Sequence, residues 1–318
     1  MKKDSLLSKT LMNSVTSFGY NLFRYALLIG VSYVAIFPII KMLSASLTIA
    51  EDYYAGVAEY IPPRPTFINY KNVQHYFNFF ECVKVTLIVT LTSTVLSVFI
   101  TSLVGYGLGR YSFKGNALVY AAVLFTVIMP IQTAQIPLYY TYRWFDFFGI
   151  GKIIGLFTGT DFTINLLPNL GRFLVPALFG VGLKAGIFIF LFRQFFAGMP
   201  KDLEEAAKLD GCSPFMIYLK VMIPNIIPVL VTVILLSIIY YWNDTLVTGM
   251  AQLKMGPTLM LEVEKLIILK EGGDEVSEMT RQVEYYSIMM MAVLPMVVAY
   301  IFGQKFFVEC MDRSGSKG

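Results

Sequence analysis

The stretch Met199–Pro224, MPKDLEEAAKLDGCSPFMIYLKVMIP, is a polar-rich island between two strongly apolar runs in the second half of the chain. Asp202, Glu204 and Glu205 open a helix-forming segment, where acidic side chains suit the positive end of the helix dipole. Ala206, Ala207 and Leu209 favour helix; Asp210 follows, and Gly211 is placed to stop it in the left-handed conformation. Ser213 before Pro214 reads as an N-cap followed by the first residue of a second short helix. Phe215, Leu219 and Met222 then fall on one face at helical spacing, and Pro224 marks entry to the next apolar run. The spacing predicts helix, bend, helix, lying at the foot of a membrane domain.

The rest of the chain supplies that domain. Of 318 residues, 56% are hydrophobic and only 14% charged, with a mean hydropathy of +0.65. A soluble domain carries about 25% charged residues, so this is the composition of an all-α polytopic membrane protein. The net charge of +4 is too mild to imply a nucleic-acid partner. Cys82, Cys212 and Cys310 are far apart and form no CxxC pair, which points to neither a disulfide framework nor a metal site. Lone His75 reads as a loop residue. The sequence holds no Gly-x-x-x-x-Gly-Lys-Ser/Thr loop and no Ser-His-Asp set, so neither ATP binding by that device nor enzyme catalysis is expected.

About twenty apolar residues span a bilayer. On that measure six helices are expected at 25–47, 82–108, 118–139, 173–197, 225–242 and 285–305. A basic tail over 1–24 precedes them and a second tail over 308–318 follows. The first apolar run is too long for a signal peptide, so it reads as an uncleaved helix. Ser93, Ser97, Thr101, Gly105 and Gly109 recur every fourth position in the second helix, which predicts a face that another helix approaches closely. Pro130 and Pro137 are expected to kink the third. The fourth run holds Pro176, Gly180, Gly182 and Lys184; a span that begins only near Lys184 suits these residues better than a straight helix. Thr141–Arg172 reads as an outer segment with a short interfacial helix. Thr245–Glu284 reads as an acidic outer loop, with a turn at Gly272 and Gly273 and a solvated charge run over Glu271–Glu278.

The opening stretch resembles the signature loop of ABC importer permeases. That loop reads Glu-Ala-Ala, three residues, Gly, nine residues, Ile, one residue, Leu-Pro; Glu205, Ala206, Ala207, Gly211 and Pro224 match, with Val221 for the Ile and Ile223 for the Leu. Ser102–Gly115, SLVGYGLGRYSFKG, and the stretch Met129–Tyr139 with Gln132 resemble the carbohydrate-uptake branch, typified by the G-type permease of maltose transporters. Trp242-Asn243 resembles it at the same point. The resemblance implies a type I ABC importer permease fold, a bacterial cell-membrane location and both termini cytoplasmic. It implies a second, related permease as heterodimer partner, two ATPase subunits that carry the ATP and Mg, and an extracellular solute-binding protein delivering a sugar or oligosaccharide. The loop 199–224 is then the coupling loop, with Glu204, Glu205, Ala206, Ala207, Leu209, Asp210 and Gly211 at the ATPase and both alanines letting it sit deep in a groove. About half of the 25 basic residues fall on the implied inner side, a weak bias, so orientation rests on the loop.

Gln132, Lys184 and Asn243 are candidates for the substrate path. Two readings stand for Gln132: a buried amide bonding the broken backbone beside Pro130, or a sugar contact. Other classes remain: an importer permease for a non-sugar solute, an ion-coupled secondary transporter and a membrane scaffold. The second class expects titratable groups within the bilayer, and beyond Lys41, Lys84 and Lys184 the apolar runs hold almost none.

Overall fold

A computed structural model describes residues 2–56, 60–76, 78–147, 149–160, 162–270 and 275–315; side chains are described for 17–268, 280–301 and 304 within those limits. In chain order the helices are α1 (Lys2–Ser46), α2 (Ala50–Tyr54), α3 (Ile68–Gln74), α4 (Phe79–Arg110), α5 (Asn116–Ile128), α6 (Gln135–Arg143), α7 (Ile150–Thr158) and α8 (Gly171–Leu178). There follow α9 (Ala185–Gly198), α10 (Asp202–Leu209), α11 (Pro214–Ile217), α12 (Ile223–Asn225), α13 (Ile227–Trp242), α14 (Leu259–Lys270) and α15 (Glu275–Gly315). Among the described residues the only strand-like pairing is an isolated bridge between Phe145 and Ile164.

Among the described residues three helices are long and apolar enough to cross a membrane alone: Ser17–Ser46, Phe79–Arg110 and Thr280–Ile301. Two bent pairs qualify jointly, Asn116–Ile128 with Ile131–Arg143 and Pro214–Asn225 with Ile227–Trp242. The chain is therefore a multi-pass membrane protein.

Two compact units emerge, Met1–Tyr76 with Leu269–Val293, and Phe77–Ile268 with Leu294–Gly318. In the first, Asn69 closes the end of α1: its Nδ2 donates to the carbonyls of Ser46 at 3.0 Å and Thr48 at 2.8 Å. These acceptors are orphaned where a helix ends, so a buried amide is an effective cap. Ser287 Oγ donates to the same Ser46 carbonyl at 3.2 Å, and Asn72 Nδ2 donates to Glu284 Oε1 at 3.3 Å, fastening α15 alongside.

The second unit is built on α4. Ser93, Ser97 and Thr101 are fully buried, and α9 comes so close that a Cβ on Gly105 would lie 2.6 Å from Phe192 Cβ. One on Gly109 would lie 3.1 Å from the Arg193 carbonyl oxygen. The small-residue face expected from the sequence thus has its partner, α9. On another side Ser237 Oγ of α13 donates to Thr94 Oγ1 at 3.2 Å.

Several expectations change. From Lys2 on, the basic tail expected over 1–24 is helical and continuous with the first span, and helix continues through 308–315 at the other end. The third span is no single rod over 118–139. It breaks at Met129-Pro130 and resumes, through the 3₁₀ turn Ile131–Ala134, at an angle of 101°. Pro137 causes no second kink, because it falls in the first turn of α6, where a missing N–H costs little. The run 173–197 is two helices, and Lys184 directly precedes α9 with φ 58, as the broken-entrance reading expects. The fifth span does not start at 225. Helix from Pro214 runs past Pro224 through a π-helical turn, Tyr218–Met222, and the 85° bend falls at Ile226. Thr245–Glu284 is not merely a loop, since it contains α14 and the start of α15. The expected turn at Gly272 and Gly273 lies outside the described residues, as do the side chains of the charge run and of Cys310. Cys82 and Cys212 are free thiols.

The close approach of α4 and α9 is testable. Gly105→Val forces a side chain into the Phe192 Cβ and should cost about 1–3 kcal/mol as overpacking. Gly107→Val, with nothing within 4 Å, should cost far less. Thermal unfolding of the purified variants in detergent should show a lowered midpoint for the first and little change for the second; equal midpoints would contradict the packing.

Candidate functional site

The sequence builds the loop region much as its turn residues demand. Gly211 has φ 78, the left-handed stop that ends α10. The Ser213 hydroxyl accepts the Met216 N–H at 3.3 Å, capping α11 with Pro214 at its first position. The π-helical turn then changes the face expected from regular spacing: Ile217, Tyr218 and Met222 are buried, whereas Phe215 and Leu219 are exposed. Tyr218 shares a hydrogen bond of 2.6 Å with Ser102 of α4 and lies in a core with Phe192, Phe196, Ala207 and Val229.

Helix α10 has two faces. Ala207, only 7% exposed, looks toward the domain and joins its core, while Leu203 one turn before it stays exposed. Glu205 and Leu209, also one turn apart, look away; Leu209 is 90% exposed. Asp202, Ala206 and Asp210 are exposed as well. This corrects one expectation. Only Ala206 is open to an external partner, because Ala207 is already committed to the chain's own core.

Glu204 is committed too. Its Oε1 accepts from Nε of Arg110, the last residue of α4, at 2.8 Å. Arg110 does more: Nη1 donates to the carbonyls of Phe196 at 3.2 Å and Met199 at 2.7 Å, and Nη2 to that of Pro200 at 3.3 Å. Its side chain is 4% exposed and that of Glu204 12%. Guanidinium suits the task, since its rigid fork of donors can serve the orphaned carbonyls ending α9 and a carboxylate together. One residue thus ties α4, α9 and α10. The sequence shows Arg110 only as part of a basic turn; its burial could not be read from local spacing, because the partners lie 86 or more residues away.

The other candidates fall elsewhere. Lys184 Nζ lies 5.5 Å from the centre of the Tyr240 ring, and Asn243 ends α13 with Nδ2 donating to the Ile239 carbonyl at 2.8 Å. Both are exposed. Gln132 is exposed on the 3₁₀ turn, not the buried amide expected, and Thr133 Oγ1 is what bonds the Pro130 carbonyl, at 2.7 Å. Beyond the end of α13, Asp244 accepts the N–H groups of Val247 at 3.2 Å and Thr248 at 2.8 Å. Burial nevertheless pushes its carboxyl above the usual range. Arg172 Nη1 donates to the Ala251 carbonyl at 2.7 Å, pinning the segment after α13.

Comparison with known proteins places this geometry. The family model described as binding-protein-dependent transport system inner membrane component matches residues 101–309, from the middle of α4 into α15. The chain is 26% identical over 310 residues to the arabinooligosaccharides transport system permease protein AraQ of Bacillus subtilis, covering 94% of this chain and 98% of that one. It is 28% identical over 258 residues to the alpha-glucoside transport system permease protein AglG of Rhizobium meliloti, covering 81% of this chain and 62% of the relative. Among solved structures, a bacterial ABC transporter involved in import of the acidic polysaccharide alginate contains a chain with TM-score 0.67 and 23% identity, covering 91% of this chain and 96% of that one. At that identity the likeness shows the fold, and the fold is the ABC permease type.

The Arg110 tie generates an expectation of its own. Arg110→Ala removes the guanidinium bonds to Glu204 and to the Met199 and Pro200 carbonyls, at about 1–3 kcal/mol for each buried acceptor left unmade, while the Phe196 carbonyl keeps the Met199 N–H at 3.3 Å. Hydrogen exchange should quicken over 199–210 while the middle of α4 keeps its protection. Unchanged exchange over 199–210 would show that Arg110 does not hold the loop.

Proposed function

The chain belongs to the family of binding-protein-dependent transport system inner membrane components, and from that premise we propose that it is a permease subunit of an ATP-driven importer for a sugar or oligosaccharide. The observation that carries the reading is α10: a short helix whose inner face is bolted to the domain and whose outer face presents Glu205, Ala206 and Leu209. An exposed leucine flanked by acidic groups is the surface of a helix that seats in a groove of another protein. The sugar class draws on the relatives, whose names specify arabinooligosaccharides, alpha-glucosides, starch degradation products and trehalose.

In this reading Glu205, Ala206, Leu209, Asp210 and Gly211 face one of two ATPase subunits, while Glu204 and Ala207 hold the helix to its own chain. ATP and Mg belong to those partners, and this chain carries transport without catalysis. A second, related permease completes a heterodimer, and an outer binding protein presents the solute. A solved alginate transporter has been seen in complex with a pentasaccharide-bound periplasmic protein. Six crossings follow if the three long spans and two bent pairs are joined by α9 with the helix before it. Alone, α9 is 14 residues, about 21 Å at 1.5 Å per residue, short of a bilayer core of about 30 Å. Both termini then lie in the cytoplasm of a bacterial cell and the loop 199–224 meets the ATPase there. Closure of the ATPase pair moves α10. Arg110 passes the displacement to α4 and α9, and the permease halves rock about a central path.

Glu205→Arg reverses the charge on the outer face without touching the Arg110 tie. Uptake of the transported sugar should be abolished while the amount of permease in the membrane is unchanged. Uptake at the original rate would exclude the coupling role for this face.

A further inference from the structure

The second unit has a built cavity at the end remote from Arg110. Tyr142 and Phe145 pack there with Phe173 and Tyr241, near the end of α13, whereas α10 packs with Phe196, Ile217 and Val229 near its start. The cavity holds about 510 Å³ and is lined by Tyr140, Thr141, Trp144, Asp146, Lys152 and Thr163, with Phe145 behind them.

Its two walls are distinct. Tyr140 and Trp144 stand one turn apart at the end of α6, with rings 5.5 Å apart and 12° from parallel. Their exposures are 55% and 53%, although Tyr142 between them is buried. The helix therefore commits one aromatic to its core and keeps two stacked rings at the surface, with the Arg143 guanidinium carbon 5.9 Å from the centre of the Trp144 ring. The other wall is fixed by backbone. Phe145 and Ile164 exchange bonds of 3.1 and 2.8 Å, which brings Asp146 and Thr163 to the same opening. Gly149 N–H donates to Asp146 Oδ1 at 3.0 Å and Gly151 N–H to the Asp146 carbonyl at 2.8 Å. Phe147 beside them holds φ 54, a left-handed conformation that a bulky side chain keeps only where its surroundings over-determine it. Lys152 adds an exposed cationic donor from α7.

Ring faces beside a fixed carboxylate and an ammonium select a particular ligand chemistry. Aromatic faces take up the apolar C–H side of a sugar ring, and the two charged groups bond its hydroxyls as acceptor and donor. Asp146 and Lys152 carry opposite charges, so the lining offers an acceptor and a donor together. We propose that this cavity is an outer saccharide-holding subsite, where one ring of an uncharged oligosaccharide lies against the Tyr140–Trp144 pair and its hydroxyls bond Asp146 and Lys152. The proposal rests on the sugar-import reading above and adds a site to it.

The chain has two tryptophans, Trp144 and buried Trp242, so 5-fluorotryptophan in this subunit alone gives two resonances. The assembled transporter, with unlabelled partners in nanodiscs and no binding protein, is titrated with maltotetraose and with an arabinotetraose; uptake of both sugars is measured in parallel with the binding protein present. Trp144→Phe assigns the signals. The Trp144 resonance should shift saturably with an imported sugar while Trp242 stays still, and Asp146→Asn should weaken the apparent affinity at least fivefold. If a sugar is imported but leaves the Trp144 resonance unmoved, the subsite is wrong and the import reading stands. If a soluble paramagnetic agent fails to broaden Trp144, a partner subunit covers the cavity and the proposal falls. If neither sugar is imported and a non-sugar solute is, both readings fall together.

Discussion

The arrangement of the permease unit depends on one buried guanidinium. Arg110 ends α4, satisfies carbonyls of Phe196, Met199 and Pro200 where α9 gives out, and holds Glu204 of α10. Burying a cation in a mostly apolar protein is costly unless its hydrogen bonds are made. Here each guanidinium nitrogen reaches an acceptor, and two of those acceptors are the Met199 and Pro200 carbonyls just past the end of α9. The same contacts that stabilise the corner also make three helices one mechanical piece.

The close packing continues away from that corner. Along α4 it does so through close backbone approach, with Gly105 and Gly109 admitting α9 where a larger residue would collide. In lipid such contacts carry helix association, because there is no hydrophobic gain from leaving one apolar solvent for another. The tight corner and the tight seam together join α4, α9 and α10. The breaks lie outside that seam: at Pro130, at the residues before Lys184 and at Ile226. There the neighbouring segments bend, by 101° after Ile128 and by 85° at Ile226.

What could be read from the sequence was local. Gly211 and Ser213 act through their own backbones, so turn chemistry found them. The small residues of α4 announced a close neighbour by period alone, though not that it would be α9. Long-range pairing was hidden. The difference between Glu204 and Glu205, adjacent and chemically alike, is set by Arg110 94 residues before the first of them. The same holds for Ala206 and Ala207, which the fold divides between surface and core. Proline was a fair guide to breaks but not to their position: Pro137 and Pro224 sit inside helix, and the bend near Pro224 falls two residues later.

The most direct measurement places a cysteine at Leu209 in a chain whose Cys82, Cys212 and Cys310 are replaced by serine, and assembles it with its ATPase subunits in inside-out and right-side-out vesicles. Leu209→Cys should react with an impermeant maleimide only in inside-out vesicles, be protected when the ATPase is bound, and cross-link to that subunit with loss of sugar uptake. Labelling from the outer side, or no cross-link with the ATPase present, would contradict the role given to α10.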